Sequence, residues 1–133
     1  KETGHYVSDL VFRRLVPAVA AARAAGPAPT WVYRFAWKSG SWGHALHCLD
    51  IPFFFDIIDA GGYSGERVRA LTGAHPPRAL ADAVHGSAVS FVRTGDPGWP
   101  AWSTTPGTAR VFDHGASAPD LDRDAYAEVT PLG

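Results

Sequence analysis

Cysteine occurs once in the 133 residues, at Cys48, and methionine not at all. A single thiol excludes an internal disulfide framework and every multi-cysteine zinc site. Lysine is confined to Lys1 and Lys38, and no Lys/Arg run exceeds two residues. With 12 basic against 13 acidic side chains and a net charge of −1, the chain carries no electrostatic footprint for nucleic acid. No apolar run approaches the roughly 18 residues that a membrane-crossing helix needs. The first residues show no signal-peptide pattern. Neither nucleic acid nor a membrane is expected as a partner, and the compartment stays open between cytoplasmic and secreted. Without a methionine, the natural start is expected to lie upstream of Lys1.

What is present is apolar. The hydrophobic class makes up 46% of residues and the charged class 19%, too apolar and too weakly charged for a disordered chain. Five Trp, seven Phe and four Tyr are many rings for one small domain. Each can bury roughly 150–250 Å², so some of these rings are expected to need a surface outside the chain.

Ser8 or Asp9 can cap a first helix, which Pro17 must kink or restart and which Gly26-Pro27 stops. Trp31 to Trp37, WVYRFAW, is β-branched and aromatic and reads as a largely buried strand, with Arg34 in need of a partner. Ser39 to Pro52 reads as a loop. Phe53, Phe54, Phe55, Ile57 and Ile58 form an apolar segment, which Gly61, Gly62 and Gly65 break. Leu80, Val84, Ala88, Phe91 and Val92 repeat at helical spacing, so a helix is expected from about Pro77 to Thr94 with Gly95 as its stop. Ala109 to Phe112 reads as a last short strand before a polar, irregular tail. The order is helix–strand–His loop–helix–short strand. Two strands with both edges open make no stable sheet. The chain therefore reads as the end of a larger α/β sheet, or as a module that hides its edges by self-association.

The most informative segment is Ser41 to Asp56, SWGHALHCLDIPFFFD, with His44, His47, Cys48 and Asp50 within seven residues. Imidazole, thiolate and carboxylate are all zinc ligands. The spacing matches no common metal signature, however, and the remaining histidines stand singly, so no metal is expected. As residue types alone, a satisfied loop histidine and a free cysteine acting as a small hydrophobe explain the segment as well. The third reading is a general base. A loop leaving the C-terminal end of a strand can hold an imidazole at a fixed position. Cys48 beside His47 makes a poor Cys–His pair, because neighbours in an extended loop point apart. Ser64 in Gly62-Tyr63-Ser64-Gly65 reads as a turn residue.

His47-Cys48-Leu49-Asp50-Ile51-Pro52-Phe53 resembles the catalytic-histidine segment of the type B carboxylesterases, the family of para-nitrobenzyl esterases and cholinesterases. Further segments resemble that family in the same order. Asp9, Phe12 and Pro17 match its helix before the last strand, and Val32 to Trp37 its strand. Phe91 to Pro97 resembles the end of its next long helix, and Trp99 to Trp102 and Val111 to Asp113 also fit its pattern in order. The resemblance covers about residues 8 to 115. It implies a C-terminal fragment of an α/β-hydrolase fold, with residues 1–133 forming one partial domain.

The resemblance further implies carboxylic ester hydrolysis by a serine nucleophile, with His47 as the triad base and no cofactor or metal. Asp50 and Gly43 would support the histidine loop, and Trp42 would line an acyl or alcohol pocket. The partners implied are a small-molecule ester and the missing N-terminal part of the same protein. Three residues separate Gly43 from His47 where the family has two, which leaves His44 as a rival. No Gly-x-Ser-x-Gly elbow occurs anywhere, and the acidic member is expected upstream. The fragment alone is thus expected to be inactive. The alternative is a non-catalytic, esterase-like interaction module.

Overall fold

The structure, a computed structural model, describes residues 7–102, 107–113, 120–123 and 125–132. It is a mixed α/β arrangement of helices and one small sheet. In chain order come a π-helical turn (Asp9–Arg13), α1 (Leu15–Ala24), β1 (Tyr33–Phe35), α2 (Ile51–Phe54), α3 (Gly62–Thr72), α4 (Arg78–Thr94), β2 (Ala109–Phe112), β3 (Asp120–Asp122) and a 3-10 segment (Ala127–Leu132). The strands lie in the order β1-β2-β3. The Arg110 amide donates to the Val32 carbonyl and the Ala36 amide to the Phe112 carbonyl. Partners therefore advance together along both strands, so β1 and β2 are parallel, joined by the crossover that parallel strands require.

Two compact units divide the chain. The first takes the described parts of 1–33, 99–110 and 121–133. Its core is Ala20, Val32, Trp102, Ala109, Ala125, Tyr126 and Val129, with Val16 packed against them. Indole donors tie its segments together: Trp31 Nε1 donates to the Trp99 carbonyl and Trp99 Nε1 to that of Val32, each at 3.0 Å. Arg13 bonds Asp9 and Glu128 and lies 5.7 Å from the centre of the Tyr126 ring. Pro17 stands in the first turn of α1, where its missing N–H costs little. The helix thus restarts rather than kinks, and the Arg14 amide reaches back to the Asp9 carbonyl across the junction. The expected caps are not used: Ser8 is helical with no side-chain cap bond, and Asp9 binds Arg13 instead.

The second unit takes 34–98 and the described parts of 111–120. Phe53, Leu49, Leu80 and Ala81 are fully buried, with Val84 and Val68 nearly so. α4 begins where Pro77 leaves off and ends at Gly95, whose φ of 77° lets its amide close on the Phe91 carbonyl. It buries Leu80, Ala81, Val84 and Ser87 against α2. Its expected stripe does not continue: Phe91 is 47% exposed and Val92 82%. The end of α2 is held to α4 by His85, whose Nδ1 donates to the Phe54 carbonyl at 2.9 Å. Arg78 adds ion pairs to Asp56, Asp59 and Asp82, which raise its pKa, the Asp56 bond first.

Three more expectations are corrected. β1 is three residues long and only half-buried, not a buried strand over 31–37. The glycines expected to break the chain instead open α3, an eleven-residue helix. The tail contributes β3 and the 3-10 segment rather than irregular chain.

Gly65 is required by packing. A Cβ there would lie 1.9 Å from the Ala60 carbonyl oxygen, while one at Gly86 in α4 would meet nothing within 4 Å. Gly65→Ala is expected to destabilise by roughly 2 kcal/mol or more, since neither backbone segment can yield cheaply. Gly86→Ala is expected to stabilise by about 0.5–1 kcal/mol through helix propensity. Urea midpoints of the two variants should therefore move in opposite directions. A shared direction would show that the Ala60 approach is not a constraint.

Candidate active site

Beyond β1 the chain turns at Ser39, which is 2% exposed. The Gly43 amide donates to the Ser39 carbonyl at 2.7 Å, and the Ser39 amide to the His44 carbonyl at 3.2 Å. These two bonds close residues 39–44 into a ring. Gly43 has φ of 71°, the left-handed region that glycine enters without strain. The ring rests on the C-terminal end of α3. A helix leaves its last four carbonyls without intrahelical partners. Here the carbonyls of Ala70, Leu71 and Thr72 accept bonds from Trp42 Nε1 at 3.1 Å, Ser39 Oγ at 2.6 Å and the Gly40 amide at 2.9 Å, while that of Arg69, which takes the Gly73 amide at 2.8 Å, also accepts Ser41 Oγ at 3.4 Å. At Gly40 and Gly73 the two backbones also meet directly. A Cβ on Gly73 would stand 3.1 Å from Gly40 Cα.

Two further turns lead into α2. The Leu49 amide donates to the Leu46 carbonyl and the Ile51 amide to the Cys48 carbonyl. Cys48 adopts φ of 66°, a conformation that costs a non-glycine residue on the order of 1–3 kcal/mol unless its surroundings impose it. Leu49, fully buried, supplies such an anchor. The Asp50 carbonyl then accepts the amides of Phe53 and Phe54 as α2 begins.

His47 is thus carried, exposed, on a turn fixed on one side by the clamped ring and on the other by Leu49. His44 is also exposed, and its backbone belongs to the ring. Asp50 is half-buried immediately before α2, where its side chain makes no cap bond. Trp42 is 58% exposed despite its Nε1 bond. Cys48 is a free, half-exposed thiol in a turn, not in the extended loop expected from sequence. Ser64 is exposed in the first turn of α3, with no strand before it to form an elbow. Among the described residues no three His, Cys, Asp or Glu side chains group as a metal site would, and no helix is long and apolar enough to cross a membrane.

The α3 cradle and Ser39 do not stand out in the sequence. Their one signal is the pairing of two glycines, Gly40 and Gly73, that the fold brings into contact.

No family model matches the chain. Among solved structures, the chain is similar to one described as an esterase from anaerobic Clostridium hathewayi that can hydrolyze aliphatic aromatic polyesters. The TM-score is 0.60 at 24% identity over 88% of this chain. The chain spans 22% of the length of that esterase. The likeness shows a shared mixed α/β arrangement over the matched residues.

Proposed function

We propose that the chain is the C-terminal segment of a serine carboxylesterase of the type B kind, built on an α/β-hydrolase fold, with His47 as its general base. The observation that carries this reading is the placement of His47. It stands exposed on a turn anchored at both ends, in the loop that follows a strand with a parallel neighbour. The likeness to an esterase over 88% of the chain supports the substrate class, a carboxylic ester.

In this reading a serine supplied by the remainder of the protein attacks the ester carbonyl. His47 accepts its proton as the tetrahedral oxyanion forms, then gives that proton to the departing alcohol. Water repeats the sequence on the acyl-enzyme with His47 again as base. The carboxylate that orients the imidazole also lies outside the chain. Asp50 stands three positions after His47, on the same turn. Backbone amides elsewhere would hold the oxyanion.

The row Val7, Val11, Leu15 and Val19, each about half exposed, recurs every four residues on one side of the first helices. Such a row fits a surface that the rest of the esterase covers.

The test is paired. Para-nitrophenyl acetate turnover and fluorophosphonate labelling are measured on the 133-residue chain and on the protein carrying it with its upstream sequence. Only the longer protein is expected to be labelled and active. Absence of both from the longer protein would leave the non-catalytic interaction module as the reading.

A further inference from the structure

We propose that Ser39 is a positioning residue for the His47 turn, and that the carbonyl end of α3 is the cradle through which it acts. The proposal rests on the reading of His47 as general base.

The argument starts from what the Ser39 hydroxyl does. It is buried, donates to the Leu71 carbonyl at 2.6 Å, and accepts the Ser41 amide at 3.1 Å. One oxygen therefore satisfies two backbone groups, one on the helix and one in the loop. The same residue's backbone closes the ring to Gly43 and His44 in both directions. Ser41 also bonds both the ring and α3, but it makes two such bonds where Ser39 makes four.

Removing that hydroxyl leaves the Leu71 carbonyl and the Ser41 amide without these partners. The ring would relax away from α3 while Leu49 still held the far end of the turn. His47 lies between the two, so such a change tilts the imidazole without removing it. A displacement near 1 Å costs a reaction on the order of 100-fold. Substrate contacts made elsewhere in the protein are unaffected. The loss should therefore fall on kcat and not on KM.

The experiment has three variants of the full-length protein. Ser39→Ala is expected to speed hydrogen exchange of the Ser41 and Gly43 amides at least about tenfold while α4 amides keep their rates. Its kcat should fall roughly 10- to 100-fold with KM within about twofold. Trp42→Phe guards against a variant that fails to fold. Its ring is mostly exposed, and only the bond to the Ala70 carbonyl is lost. A smaller kcat loss in the same direction is expected. His47→Ala serves as the reference.

If Ser39→Ala loosens the ring and spares kcat while His47→Ala is inactive, Ser39 is structural only and the proposal is overturned. Unchanged exchange at Ser41 and Gly43 overturns it as well. A raised KM with unaltered kcat in Trp42→Phe would assign that ring to a pocket and remove it from the clamp. Full turnover in His47→Ala overturns the general-base reading, and the positioning role with it. The exchange rates read the clamp separately, so the two failures are told apart.

Discussion

His47→Ala in the full-length protein is expected to lower ester turnover by about 10⁴-fold or more, the usual scale for removing a triad member. A serine hydroxyl is a weak nucleophile unless a base takes its proton as it attacks. In the proposed reading that base is His47, and the neighbouring imidazole that competes with it is His44, exposed on the clamped ring. Thermal stability should change far less than turnover, because the side chain is exposed and surface substitutions usually fall within about 0.5 kcal/mol. His44→Ala is the internal control, with activity expected within a few-fold of the parent. The spacing from Gly43 leaves the two histidines in competition. Steady-state kinetics on both variants decides between them, and an inactive His44→Ala beside an active His47→Ala would transfer the role to His44.

The sequence is most legible where one physical cause acts alone. α4 runs over the expected residues because its periodicity, the Pro77 start and the Gly95 stop all agree. β2 covers the expected four residues, 109–112, for a similar reason. α3 is hidden because local propensity and tertiary packing conflict there. Gly62 and Gly65 weaken a helix by propensity, yet the nearby Ala60 carbonyl leaves no room for a side chain at Gly65. β1 is shorter than its chemistry suggests: WVYRFAW has strand character throughout, yet only Tyr33 to Phe35 hold strand geometry, although Val32 and Ala36 on either side still bond β2. At the candidate site, the loop and its histidine can be read locally. The clamp cannot, since its bonds join residues 28 to 32 positions apart. Side chains that coordinate neighbours so distant leave no periodic trace.

The same limit applies to Phe53, whose substitution is expected to have the largest effect on stability. In sequence it is one of three consecutive phenylalanines, yet the fold treats them differently. Phe53 is fully buried, while Phe55 is 63% exposed and Phe54 lies between. The Phe53 ring stands 5.2 Å from the rings of both Phe35 and Trp37, which themselves meet edge-on at 6.4 Å. These geometries are the tilted and edge-to-face arrangements that aromatic pairs favour. Phe53→Ala would empty the centre of that cluster. β1, which supplies Phe35, and the turn to Ser39, which carries Trp37, cannot both close on the gap while α2 is held to α4 through His85. The expected cost is about 3–5 kcal/mol. Phe55→Ala, on the exposed ring two residues away, should cost less than about 1 kcal/mol. Denaturant unfolding of the two variants measures the difference. Because α2 comes directly after the His47 turn, the Phe53 variant should also lose protection of the Leu49 amide. Equal costs at the two positions would mean that the ring cluster does not hold α2 in place.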